Sequence, residues 1–94
     1  TFEKPDLKKF PSLALALDVA RIGGTLPAVL NAADEVAVES FLNGRIRFTQ
    51  VYDVVAEVVA DHQSALYSTV EEVLQADQWA RERAVEIIGQ HVKV

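Results

Sequence analysis

PAVLNAADEV, residues Pro27 to Val36, decides how this chain reads. Apolar residues run through it at helical spacing, and Asn31, Asp34 and Glu35 interrupt them. Working outward, Leu26, Leu30, Ala33, Ala37 and Phe41 share one face of a helix predicted from about Pro27 to Leu42. Val38 and Leu42 fall on another side. A helix that is apolar on two sides needs neighbours on both, so this one belongs at the centre of a helical bundle. Pro27 suits its start and Gly44 its end.

The polar trio admits two readings. A hard cation such as magnesium takes several oxygen ligands, usually carboxylates. Asp34 and Glu35 are adjacent, however, and adjacent side chains point about 100° apart around a helix. That spacing disfavours convergence on one ion. The other reading is structural. Asn31 and Glu35 lie four apart on one face, and Asp34 points toward the edge of the apolar stripe. All three then act as structural polar groups, hydrogen-bonded to backbone of an arm or loop. This reading predicts that Asn31 or Glu35 is substantially buried.

Upstream, Pro11 to Ile22 reads as a first helix, opened by proline and closed by Gly23 and Gly24. Leu13, Ala16, Leu17 and Ala20 make one stripe, and Leu15, Val19 and Ile22 cover most of the rest. Such a helix is expected to be largely enclosed. Residues 1–10 are charged, contain Pro5 and read as an extended arm or linker, with Phe2 and Phe10 as apolar anchors.

Downstream, Arg45-Ile46-Arg47-Phe48 alternates and reads as a short extended connection. Thr49 then reads as an N-cap. A third helix follows over about Gln50 to Asp61. Its valines favour strand by propensity, yet Val51, Val54, Val55, Val58, Val59 and His62 recur at helical spacing, with Asp53, Glu57 and Ala60 opposite. Periodicity outweighs propensity here. Thr69-Val70-Glu71-Glu72 matches a capping box. Beyond it, Val70, Val73, Leu74, Ala80, Ala84, Ile87 and Ile88 would join in one stripe, but Asp77 falls in the middle. A break near Ala76 removes the conflict, giving a short helix over about 70–75 and a long one over about 78–90. The fold class is therefore all-α: a small bundle of four main helices plus a short helix over 11–94, with an N-terminal arm.

Composition bounds the function. The chain has 94 residues, a net charge of −5 and no cysteine. It holds no disulfide framework and no thiolate metal site. The acidic balance, with no basic block, disfavours nucleic-acid binding. No apolar stretch reaches the ~20 residues of a membrane span, and the N-terminus lacks signal-peptide character. The chain has no methionine, not even at position 1, which fits a processed chain or a piece of something longer.

Other candidate chemistry is weak. His62 and His91 lack the partners of a zinc helix motif and read as packing or surface residues. Gly23-Gly24-Thr25 lacks the glycine spacing of a phosphate loop and reads as a helix cap followed by a turn. Trp79 and Arg83, one turn apart, suggest a cation–π pair or an interface. The charges at Glu71, Glu72, Asp77, Arg81, Glu82 and Arg83 read as a solvated face with local ion pairs.

Taken whole, FPSLALALDVARIGGTLPAVLNAADEVAVESFLNGRIRFTQV followed by TVEEVLQADQWARERA resembles the C-terminal helical domain of the 1-deoxy-D-xylulose 5-phosphate reductoisomerase family. The resemblance runs from Phe2 to about Ile88. Its most specific parts are Gly23-Gly24-Thr25, Pro27–Val38, Ile46-Arg47-Phe48 and Asp77–Arg81. Where the family usually has Asn-Ala-Ala-Asn-Glu, this chain has Asp34 in place of the second Asn. After the Phe-Pro pair, where Cys is frequent, it has Ser12.

The resemblance implies a parent enzyme that rearranges 1-deoxy-D-xylulose 5-phosphate and reduces the product with NADPH, giving 2-C-methyl-D-erythritol 4-phosphate. It implies a divalent metal, magnesium or manganese, and a role in non-mevalonate isoprenoid synthesis in the bacterial cytoplasm or the plastid. It also implies a homodimer with an N-terminal dinucleotide-binding domain and a central catalytic domain holding the metal and phosphate sites. This chain then carries no catalytic, cofactor-binding or metal-ligating residue, and its partner is the catalytic domain it braces. The other reading is a free-standing helical interaction module that docks through Trp79.

Overall fold

Prolines stand at the starts of the first two helices, and glycines make the turns that follow them. The computed structural model describes residues 11–62 and 69–92, which form α1 (Pro11–Ile22), α2 (Leu26–Leu42), α3 (Phe48–Asp61) and α4 (Val70–Val92). The expected arm over 1–10, with Phe2 and Phe10, lies outside the described residues.

The α1–α2 turn forms as its glycines dictate. Gly23 and Gly24 have φ of +71° and +62°, the left-handed region that costs a Cβ-bearing residue about 1–2 kcal/mol. The Gly23 amide caps α1 by donating to the Val19 carbonyl at 2.9 Å. At the other end of α2, the Arg45 amide donates to the Ser40 carbonyl, also at 2.9 Å, and Gly44 has φ of +76°. The connection then drops Ile46 into the core, at 6% exposure.

α3 starts two residues earlier than expected, with Arg47 and not Thr49 as its N-cap. Thr49 is inside the helix, and Gln50 instead reaches back so that its Oε1 accepts from the Arg47 amide at 2.7 Å. The amide side chain reaches an orphan donor that a Thr hydroxyl at position 49 does not serve. Val54, Val55 and Val58 are buried. Helical spacing lets one valine face pack, whereas a strand would divide these residues between two faces.

The expected break near Ala76 is absent: α4 is continuous over Val70–Val92. The buried line runs through Ala76, Ala80, Ala84 and Ile87, with Ile88 alongside. Val70 and Leu74 are exposed. Asp77 therefore sits beside the stripe, not in it, and is neutralised on its own helix by Arg81 Nε at 2.8 Å. The bundle thus has four described helices and no separate short one. At the start of α4, the Glu72 amide donates to Thr69 Oγ1 at 3.3 Å, as the capping box requires.

α2 is central, as expected, but through one side only: Val38 and Leu42, the expected second apolar side, are exposed. It packs most extensively on α4, then on α3, and also touches α1. Small residues dominate the α2 and α4 contributions to the core: Ala32, Ala33 and Ala37 from one, Ala76, Ala80 and Ala84 from the other. With methyl groups as spacers, two helix backbones approach toward the short end of the 8–10 Å range.

α1 is not enclosed. Val19 is buried, but Leu13 is 37%, Leu17 49% and Ile22 62% exposed. α1 touches α2, grazes α3 and makes no contact with α4, so one of its apolar sides has no neighbour among the described residues.

Candidate functional site

The trio that opened the sequence divides between two places. Asn31, Asp34 and Glu35 are all exposed, so the burial expected of Asn31 or Glu35 does not occur. α2 buries the side carrying Val29, Ala33 and Ala37, and four short helices cannot also cover the side carrying the trio. Glu35 points to α4, where its Oε2 accepts from Arg81 Nη2 at 2.5 Å. Hydrogen bonds to Asp77 and then Glu35 hold the Arg81 guanidinium pKa above its ordinary value. The trio therefore makes no shared site, and Glu35 tethers α4 to α2.

Asn31 and Asp34, one turn apart, instead border a groove of about 630 Å³ between α1, α2 and α3. α1 contributes Leu15, Val19 and Ala20 to it. Leu30 of α2, with Val51 and Val55 of α3, completes the apolar lining. Tyr52 joins Asn31 and Asp34 as the polar edge. Apolar walls with a few polar groups, at this volume, are the general make-up of a recognition site.

A second cluster ties the elements together. Thr25, buried at the α1–α2 turn, and His62, the C-cap of α3, share a hydrogen bond between Oγ1 and Nε2 at 2.9 Å. The His62 ring packs on Trp79 of α4, with centroids 5.1 Å apart. Partial burial lowers the His62 pKa from its usual value. Trp79 is thus half-buried against the core instead of paired with Arg83 or free for docking. Arg83 turns to Asp61, whose Oδ2 accepts from Nε at 2.9 Å, and to Glu86 at 3.1 Å. The Thr25 hydroxyl beside the His62 ring is itself buried, at 5% exposure, so the pair serves to hold the α1–α2 turn against the end of α3.

Neither implied cofactor fits these residues. Among those described, no three His, Asp or Glu side chains gather to hold a metal ion. The glycine pair Gly23-Gly24 follows a helix instead of linking a strand to one, so it is not a dinucleotide cradle. No described helix is long and apolar enough to cross a membrane.

A family model described as the DXP reductoisomerase C-terminal domain matches residues 1–83. The chain belongs to this family. Among relatives of the DXP reductoisomerase C-terminal domain, the 1-deoxy-D-xylulose 5-phosphate reductoisomerase of Thermodesulfovibrio yellowstonii is 51% identical over 95% of this chain and 23% of its own length. That of Cupriavidus metallidurans is 54% identical over 94% of this chain and 22% of its own. A solved structure of the reductoisomerase from Zymomonas mobilis in complex with NADPH superposes with a TM-score of 0.84 and 38% identity, covering 94% of this chain and 23% of that one. The chain thus spans about a quarter of the length of the relatives it matches.

Proposed function

We propose that this chain is the C-terminal bracing domain of a 1-deoxy-D-xylulose 5-phosphate reductoisomerase. The parent converts that substrate to 2-C-methyl-D-erythritol 4-phosphate with NADPH and magnesium or manganese. The observation that carries the reading is identity of about half the residues, sustained over 95% of the chain, to proteins of that activity. The bundle's part is mechanical. An active site needs its reacting groups held within about half an ångström, and a docked rigid body supplies that support. The arm over 1–10 and the uncovered helix faces are the means of attachment. Asn31, Asp34 and Glu35 are structural and have no catalytic role. The parent works as a homodimer in the bacterial cytoplasm or the plastid, without nucleic-acid or membrane partners.

The test separates the parent from its part. The intact chain, supplied with NADPH and magnesium, oxidises NADPH on addition of 1-deoxy-D-xylulose 5-phosphate. The purified 94 residues do not. Turnover by the 94 residues alone overturns the bracing role, and inactivity of the intact chain overturns the assignment.

A further inference from the structure

We propose that the corner between α2 and α3 docks on the start of α4 of a second copy of this chain. Nothing in this depends on the reductoisomerase reading. Leu42, the last residue of α2, is 74% exposed, and Phe48, the first of α3, is 72% exposed. Neither swings free of the bundle. The Phe48 ring meets Phe41 edge-on, with centroids 5.5 Å apart. Between the two helices the backbone is pinned: the Gly44 amide donates to the Phe41 carbonyl at 3.0 Å, and Ile46 is anchored in the core. A surface already held in shape loses little freedom on binding, so the corner is prepared for a partner.

Charge says which partner. Arg45 and Arg47 lie between Leu42 and Phe48 in the chain, exposed and without an ion pair among the described residues. Arg21, Arg81 and Arg83 are each paired with a carboxylate. The complement is on the chain itself. Val70 and Leu74, one turn apart at the start of α4, are exposed, and so is Glu71, which forms no ion pair among the described residues. Leu42 and Phe48 against Val70 and Leu74, with the arginines over Glu71, give an apolar centre with a matched charged rim. A net charge of −5 repels a second copy from most of the surface. Among the described residues, the corner is where unpaired positive charge reverses that repulsion. The two surfaces differ, so the contact is heterologous: the corner of one copy takes the α4 start of the next. Four apolar side chains make a contact smaller than the roughly 1,200 Å² of a standard interface, so the association is weak and shows at high concentration.

Charge reversal in the full-length polypeptide that carries these residues tests this by sedimentation, without reference to activity. The average mass of the wild type is expected to rise with concentration above its value at high dilution. Arg45→Glu with Arg47→Glu sets acid against Glu71, and Glu71→Arg sets base against the corner. Each variant by itself is expected to associate roughly tenfold or more weakly than wild type. An equal mixture of the two is expected to regain association, because the reversed corner of one meets the reversed helix of the other. Leu42→Ser, at an exposed position, is expected to weaken wild-type association without moving the mass at high dilution. A wild type whose mass does not change with concentration overturns the proposal. Association that survives both reversals assigns the contact to another surface and overturns it as well. A mixture that stays dissociated overturns the pairing of corner with α4. Absence of association, together with retention on phosphatidylglycerol vesicles that the Arg45→Glu and Arg47→Glu pair abolishes, overturns it in favour of a lipid surface.

Discussion

Ala80→Leu in α4 separates packing from hydrophobicity by sign. Ala80 is fully buried, and the contact of its helix with α2 is the bundle's most extensive. Leucine adds three carbons. At about 0.8 kcal/mol per buried CH₂, transfer from water alone predicts a gain of about 2.4 kcal/mol. Helix propensity hardly changes, since Leu follows Ala closely in rank. The alanine contact leaves no room for the added volume, so the helices must separate or the side chain must leave its rotamer. Overpacking of this kind costs about 1–3 kcal/mol net. For a domain of this size, that lowers the melting temperature by roughly 4–24 °C. The assay is urea unfolding of the 94-residue chain followed by circular dichroism, with Gln75→Leu as the exposed control on the same helix. Gln75→Leu is expected to stay within about 0.5 kcal/mol of wild type. An Ala80→Leu midpoint at or above wild type would show that α2 and α4 are not held at alanine distance.

Three further perturbations probe the other contacts. Glu35→Gln removes an exposed tether and is expected to cost less than about 1 kcal/mol, the loss shrinking in high salt; a larger, salt-independent loss in urea titrations refutes the tether. Gly44→Ala meets no atom within 4 Å, so backbone conformation alone sets its penalty, about 1–2 kcal/mol by thermal melting; a neutral result means the turn is not held at φ of +76°. His62 has a folded-state pKa below its usual ~6.5, so the folded chain favours the neutral ring. Its stabilisation is fully present above that value and is lost as pH falls through the folded-state pKa. The charges beside it, Asp61 and Arg83, pair with each other. Stability measured from pH 7.5 to 5 should therefore fall on acidification, and His62→Gln should flatten the change; an identical slope in the variant removes His62 as its source.

Local punctuation made much of the fold legible. Pro11 and Gly23 mark α1 to the residue, and the valines of α3 declare a helix because spacing, not propensity, decides which face can be buried. Legibility failed where a neighbouring helix chooses between adjacent residues. Ala76 and Asp77 are one position apart, and only α2 determines that the alanine faces in. A largely apolar α1 announces burial without saying by what, and among the described residues nothing covers its outer side. The trio's geometry was readable enough to argue against an ion site, but not its exposure, which depends on how few helices surround α2. The Thr25–His62–Trp79 junction left no sequence signal, since its hydrogen bond joins residues 37 positions apart.

The thin attachment of α1 also bears on when the bundle becomes complete. α2, α3 and α4 bury one another, whereas α1 buries Val19 and leaves Leu13, Leu17 and Ile22 exposed. Amides in α1 should therefore exchange with solvent through a local opening, well below the energy needed to unfold the other three helices. Any surface laid over α1 adds its burial energy to that opening and closes it. The order of α1 thus depends on what lies over it, whereas that of the other three helices does not.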